Sequence, residues 1–268
     1  MAAAAAAAVV TTKSRSDLDL PTVASGDLAR EIGGQRGALA FDGDGTLWSG
    51  DVGEDFFFGV LDSGRLTDVA AEAIARVAHD AGVAPGAVPA ETARRIYDAY
   101  LAGRFDEERV CELMTWINAG WSHVATTDFV VALVGKAFES RVHPEIAAVL
   151  AASRAEDHAV FVVSASPRPI VEAAAAVCGI ASARVIAATA VLEGDRYAAA
   201  VHRPIPYGAG KAAALRAALG DLPLLAAFGD NAFDAEMLAM SERPIAVRPK
   251  QRLVDRAHEI PTMRVLTE

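Results

Sequence analysis

Cysteine is nearly missing from this chain: 268 residues contain two, Cys111 and Cys178. Two thiols are too few for a disulfide framework, and they lack metal-ligand spacing, so a reducing, cytoplasmic setting is expected. Long apolar runs are missing as well. No stretch reaches the roughly 18 apolar residues that a membrane span requires, and no membrane partner is expected. The opening MAAAAAAAVV has no positive residue ahead of its apolar run, which makes a poor secretory signal. Positive charge is scarce: 25 Lys and Arg stand against 35 Asp and Glu, a net −10. That is the wrong sign for a broad nucleic-acid surface, although a small phosphate needs only a local positive site. The six histidines, at 79, 123, 143, 158, 202 and 258, are scattered, which argues against a histidine metal centre.

What is present is a core. With 53% hydrophobic and 22% charged residues the chain should be globular, long enough for one large domain or two smaller ones. Short apolar runs at 37–41, 159–163, 224–228 and 244–247, with a weaker one at 185–188, read as buried strands. Helical patterns at 144–152, 167–178, 210–219 and 232–240 separate them. The alternation predicts an α/β fold, a Rossmann-like doubly wound parallel sheet with helices on both faces. Ser166 is placed as N-cap of the helix from Pro167, and Gly179 as its stop. From 50 to 141 no strand is convincing, and helices are expected over 67–81, 90–101, 106–119 and 127–138, with Asp106 as an N-cap. A stretch of this length is too long for a loop. The division expected is a flexible tail and short helix over 1–34, a catalytic core over 35–49 and 142–268, and an inserted helical cap domain over 50–141. Residues 190–201, with Glu193-Gly194-Asp195 in the middle, read as a hairpin.

The first predicted strand runs into ALAFDGDGTLWSG, residues 38–50. Asp42-Gly43-Asp44-Gly45 could be a hairpin turn, but some 90 helical residues follow before the sheet resumes, so the turn reading loses. The second strand ends at Ser164 and the third at Gly229-Asp230. Ligands of open α/β sheets bind beyond the carboxyl ends of the strands, where these side chains would converge. Lys211 opens a helix, whose free N–H groups favour an anion, and Asp234 follows Asp230 by about one helical turn. Two carboxylates ~4 Å apart repel by ~4 kcal/mol at an effective dielectric of 20. A hard divalent cation relieves this, and Mg²⁺ typically takes one or two carboxylates plus substrate phosphate and waters. Carboxylates for a metal beside donors for a phosphoryl group make a phosphoryl-transfer constellation.

These four motifs, in order, resemble the haloacid dehalogenase-like superfamily: DGDGT at 42–46, Ser164, Lys211, and GDNAFD at 229–234. The helical insertion falls where a subclass of that family carries its cap. The resemblance implies Asp42 as the nucleophile that forms an aspartyl-phosphate, and Asp44 as general acid and then base. It implies Mg²⁺ on Asp42, Asp230 and the backbone carbonyl of Asp44. Ser164, Lys211, Gly43 and Ala165 would bind the phosphoryl group, with Gly43 and Gly45 admitting backbone N–H groups to its oxygens. Asp234, Asn231 and Thr46 would support the site. Because halide leaves without a proton, an acid at 44 favours a phosphatase over a dehalogenase.

Within the superfamily the likeness is to phosphoserine phosphatase-like members, with departures. Their amine-binding glutamate is matched by the shorter Asp51, with Glu54 close behind, and Phe233 stands where they usually carry asparagine. Their carboxylate-binding cap arginine is unplaced, with Arg94, Arg95 and Arg104 as candidates. Specificity is assigned to Trp48, Asp51, Glu54 and Arg168. The expected function is Mg²⁺-dependent hydrolysis of a small phosphomonoester, phosphoserine-like or otherwise amine-bearing. Aromatic residues in and beside the insertion, from Trp48 and Phe56–Phe58 to Trp121, would suit a phosphocholine- or phosphoethanolamine-type ester through cation–π contacts, or simply form a core. A phosphotransferase or mutase and a silent binding module are the remaining alternatives. The basic run 248–252 reads as a solvated surface. Oligomeric state is not legible.

Overall fold

The computed structural model describes residues 20–268, apart from the side chains of Lys136 and Ala137. Its frame is a seven-stranded sheet in which every neighbouring pair is parallel. The strands are β1 (Thr22–Ala24), β2 (Ala38–Phe41), β3 (Ala159–Pro167), β4 (Val185–Ala188), β7 (Leu224–Gly229), β8 (Pro244–Ala246) and β9 (Arg264–Thr267), in the order β1-β9-β8-β7-β2-β3-β4. From the central β2 the chain winds out to β3 and β4, crosses to β7 on the other side of β2, and winds out again. The reversal lies at β2, where such sheets open a crevice.

All four residues of β2 are buried, as expected of a strand flanked on both edges and covered on both faces. Its alternation divides the core. Leu39 and Phe41 join one apolar cluster, and Ala38 and Ala40 join the other. Phe41 stacks on Phe228 of β7, ring centroids 4.1 Å apart and 8° from parallel. Helices α1 (Ser25–Ile32), α7 (Pro144–Ala155), α8 (Arg168–Val177), α9 (Ala209–Leu219), α10 (Ala235–Ala239) and α11 (Gln251–Asp255) accompany the sheet, and β5 (Ala190–Glu193) pairs antiparallel with β6 (Arg196–Val201) as the expected hairpin.

Between β2 and α7 lie five α-helices: α2 (Val52–Asp62), α3 (Asp68–Asp80), α4 (Pro89–Leu101), α5 (Glu107–Trp116) and α6 (His123–Val134). Four of them carry side-chain caps from Asp51, Thr67, Asp106 and Ser122, each accepting a backbone N–H at 2.8–3.2 Å; such a cap contributes about 1 kcal/mol. One apolar cluster runs without a break from Phe41 and Phe228 through Phe56, Phe57 and Tyr97 to Trp116 and Trp121. Most of the insertion's aromatic rings are therefore core.

Several expectations change. β3 runs on to Pro167, so α8 starts at Arg168 without a side-chain cap, and Ser166 belongs to the strand end. β1 and β9 form an edge of the sheet where no strand was expected. The part of the expected flexible tail at 1–19 lies outside the described residues, while 22–32 form β1 and α1. Among the described residues no helix is long and apolar enough to cross a membrane.

Candidate active site

Asp42 leaves β2 with its N–H bonded to the carbonyl of Phe228, 2.9 Å away, so the neighbouring strand sets its backbone. Its side chain is 3% exposed. Beneath it lies Lys211, from the first turn of α9 and wholly buried, with Nζ 2.5 Å from Asp42 Oδ1 and 2.6 Å from Asp234 Oδ1. A buried lysine is tolerated when paired and hydrogen-bonded. Burial alone would lower its pKa, but Asp234 and Asp42 overcome that and hold it raised. The other oxygen of Asp234 accepts the N–H groups of Asp230 and Asn231 at 3.1 and 3.0 Å. Together with Asn231 Oδ1 on the N–H of Ala232, this closes a capping box that fixes the turn after β7.

Asp230 pairs through Oδ2 with Lys250 Nζ at 3.0 Å. Burial, opposed by Lys250 and helped by Asp234, pushes its pKa up to about 6. Asp42 is raised well above the carboxylate range, by burial first and the Asp234 charge next, against the pull of Lys211. Asp42, Asp230 and Asp234 each bring an oxygen within 4.8 Å of the others. Asp42 Oδ2 and Asp230 Oδ1 are buried with no hydrogen-bond partner, as is Thr46 Oγ1. Orphaned carboxylate oxygens in a cluster short of positive charge suit a hard divalent cation such as Mg²⁺. Gly45 is required here. Its φ is +82°, and a Cβ would lie 2.3 Å from Asp230 Oδ2. Its N–H donates to the carbonyl of Trp48, so this glycine makes room for Asp230 instead of serving a phosphate.

Asp44 turns the other way. Its Oδ1 accepts Trp48 Nε1 at 2.8 Å and the N–H of Val52 at 2.7 Å, and its Oδ2 accepts Ser166 Oγ at 2.7 Å. Asp42 and Asp44, two residues apart, thus occupy opposite sides of one strand end. A cavity of about 400 Å³ opens over them, with Ser164 and Ala165 on its rim. Its helical wall carries Asp51, Glu54, Tyr100 and Glu107, facing Tyr207 and Phe233. Tyr97 donates its hydroxyl to Glu54. Burial and then the nearby Asp44 charge hold Asp51 well above its usual pKa.

The expected specificity residues divide. Asp51 and Glu54 line the cavity. Trp48 is wholly buried behind Asp44, edge-on to Phe138 at 5.4 Å, and lies outside the cavity wall. Arg168 bonds Glu172 at 2.7 Å and is also absent from the wall. No arginine lines the cavity among the described residues: Arg94 pairs with Asp62, Arg95 with Glu91, and Arg104 stays exposed.

Two residues at the site were misread from sequence. Ser166 had the look of a helix cap because Pro167 follows it. Lys250 lay in an expected solvated run, yet its ammonium meets Asp230, while Arg248 and Arg252 pair with Glu145 and Glu107. The only local hint was an excess of acids elsewhere that needed partners.

Residues 39–239 match the haloacid dehalogenase-like hydrolase family. No curated protein matches the chain in sequence. Among solved structures it is similar to a Bordetella pertussis Tohama I protein of unknown function, at 20% identity over 87% of this chain and 98% of that one, TM-score 0.68. It is similar to a substrate-bound phosphoserine phosphatase at 15% identity, covering 87% and 93%, TM-score 0.52. A phospho-aspartyl intermediate analogue of phosphoserine phosphatase matches at 17% identity over 87% and 93%, TM-score 0.51. These likenesses carry the fold. The family match spans Asp42, Lys211, Asp230 and Asp234 and most of the chain, which therefore belongs to the haloacid dehalogenase-like hydrolase family.

Proposed function

We propose that the protein is a Mg²⁺-dependent phosphatase that hydrolyses a small, amine-bearing phosphomonoester through an aspartyl-phosphate on Asp42. The observation that carries this reading is the split between the two carboxylates. Asp42 sits in the acidic cluster with one free oxygen, while Asp44 is held out of that cluster by three donors and faces the cavity. One group is placed to attack and the other to carry a proton. A metal on Asp42 and Asp230 would supply charge neutralisation for the phosphoryl group. Lys211 keeps Asp42 oriented and offsets its charge, and Asp234 keeps Lys211 in place. Asp44 protonates the departing alkoxide and then takes a proton from the water that releases phosphate. Ser164 and the backbone around Gly43 and Ala165 hold the phosphoryl oxygens.

The cavity's chemistry supports the amine. Three carboxyl groups beyond the catalytic pair line it, with aromatic rings among them and no arginine for a substrate carboxylate. Burial and the Asp44 charge raise the pKa of Asp51, and a cation beside it would offset both. An amino-alcohol or choline phosphate fits this wall better than phosphoserine itself. The two free thiols suit a cytoplasmic reaction.

The test is rapid-quench labelling with a phosphate ester. The wild-type protein should trap an acid-stable phosphoenzyme, and Asp42→Asn should trap none and release no phosphate. Wild-type turnover in that variant would overturn the assignment.

A further inference from the structure

The hydrogen bonds around Asp44 say more than that it faces the cavity. A carboxylate offers about four lone-pair sites. On Asp44, two on Oδ1 are taken by Trp48 Nε1 and the N–H of Val52, and one on Oδ2 by Ser166 Oγ. No other donor among the described residues reaches it. One site remains, on Oδ2, the oxygen beside Ser166 in the cavity wall.

The arrangement is built. The pairing of β3 with β4 slips between Ser164 and Pro167, so that Ala165 and Ser166 bulge out of the ladder. Such a bulge re-aims a side chain. The N–H of Ser166 donates to Ser164 Oγ at 3.0 Å, which ties the bulge to the preceding strand. Two glycines clear the space. A Cβ at Gly53, in the first turn of α2, would lie 2.7 Å from Ser166 Oγ, and one at Gly43 would lie 2.9 Å from Trp48 Cζ2.

We propose that Ser166 is a positioning residue for Asp44: with Trp48 and the N–H of Val52 it occupies three of the four acceptor sites and confines the transferable proton to the remaining site on Oδ2. This rests on the phosphatase reading above. As the ester P–O bond breaks, the proton on Oδ2 passes to the departing oxygen, which leaves as a neutral alcohol while phosphorus bonds to Asp42. In the second half, Oδ2 takes a proton from water as its oxygen bonds to phosphorus and the Asp42–phosphate bond breaks. Trp48 thereby acts through Asp44 and not on the substrate.

Proton donation matters more as the leaving group becomes more basic, which separates this role from a structural one. The experiment measures kcat for aryl phosphates running from para-nitrophenyl, a good leaving group, to para-methylphenyl, a poor one. General acid catalysis contributes about 10²–10⁴-fold, so partial misalignment in Ser166→Ala should depress the poor leaving group about tenfold more than the good one. Gly53→Ala, which adds a good helix former to α2 and so should not unfold it, should push Ser166 aside and steepen the same dependence. Trp48→Phe, which keeps a ring and drops the donor, should act in the same direction. A uniform loss across the series in Ser166→Ala and Gly53→Ala, or no loss, would overturn the role of Ser166 while leaving the phosphatase standing. Wild-type protein that releases no phosphate from any ester would overturn the phosphatase reading first, and this role with it.

Discussion

The sheet wall and the helix wall of the cavity are held in different ways. On the sheet side, Asp42, Lys211, Asp234 and Asp230 come from the ends of β2 and β7 and the start of α9, and they bond one another and Lys250, leaving one oxygen each of Asp42 and Asp230 without a partner. On the helix side, Asp51 caps α2, Glu54 takes one hydroxyl from Tyr97, and Glu107 takes the Tyr100 hydroxyl at 3.5 Å and pairs with the largely exposed Arg252. The strand ends cannot move without breaking the parallel ladder, whereas the helices are joined to it through apolar side chains. Under the proposed function, reaction geometry would rest on the ladder, and ligand preference on charges carried by helices.

Breaking the sheet wall should harm every substrate alike. The largest effect is expected from Asp42→Asn, which removes the proposed nucleophile, so phosphate release should vanish for all esters in a panel. Lys211→Met comes next. It strands Asp42 and Asp234 in a buried site, and removing one partner of a buried pair destabilises by about 3–5 kcal/mol. Urea unfolding at pH 7.5 should show that loss. At pH 5 the loss should shrink, because the raised pKa of Asp42 makes its protonation, which removes the stranded charge, easier than for an ordinary carboxylate; equal losses at both values would contradict the pairing.

Breaking the helix wall should instead be selective. Asp51→Asn removes the carboxylate that a bound cation would favour, and a hydrogen bond to a charged group is worth about 1.5–3 kcal/mol, so KM for an amine-bearing ester should rise about tenfold. KM for a neutral ester of the same size should stay within a factor of about two on the same reasoning. A parallel rise in both would make Asp51 a structural cap alone.

The smallest effect probes the metal. The folded pKa of Asp230 lies near 6, above its unfolded value of 3.8, so folding favours its protonated form. That contribution to stability is present below about pH 4 and is lost as pH rises through 6. Mg²⁺ needs the ionised carboxylate, so its binding should release protons and weaken about tenfold between pH 7 and pH 5. Thermal shifts with Mg²⁺ at the two pH values measure this. A pH-independent shift would place the metal elsewhere.

How much of this was legible depended on how local the cause was. The cap at Asp106 acts over three residues and could be read directly. β2 and β7 are continuous apolar runs, and the parallel α/β sheet followed from their alternation with helices. β1 and β9 escaped notice because neither is a continuous apolar run; β1 is held by pairing with β9, and β9 by pairing with β1 and β8. Ser166 was misread because Ser-Pro carries a local helix-start signal, while its actual place follows from a register slip against β4. Arginines 94 and 95 could not be excluded from the cavity by spacing; partners 32 and 4 residues away in the chain hold them outside it.

By itself the sequence determined the alternation of the inner strands with helices, the helical run that follows the first strand and the identity of the acids at the strand ends, because periodicity, caps and turn residues act within a few positions. Only the tertiary structure decided which way each acid faces. Asp42 and Asp44 differ by two residues and share one strand end. Trp48 and Val52, within eight residues of Asp44, hold one of its oxygens, but Ser166 on the other oxygen and Lys211 on Asp42 lie more than a hundred residues along the chain. Hydrogen bonds and burial at that separation exist only once the sheet has closed.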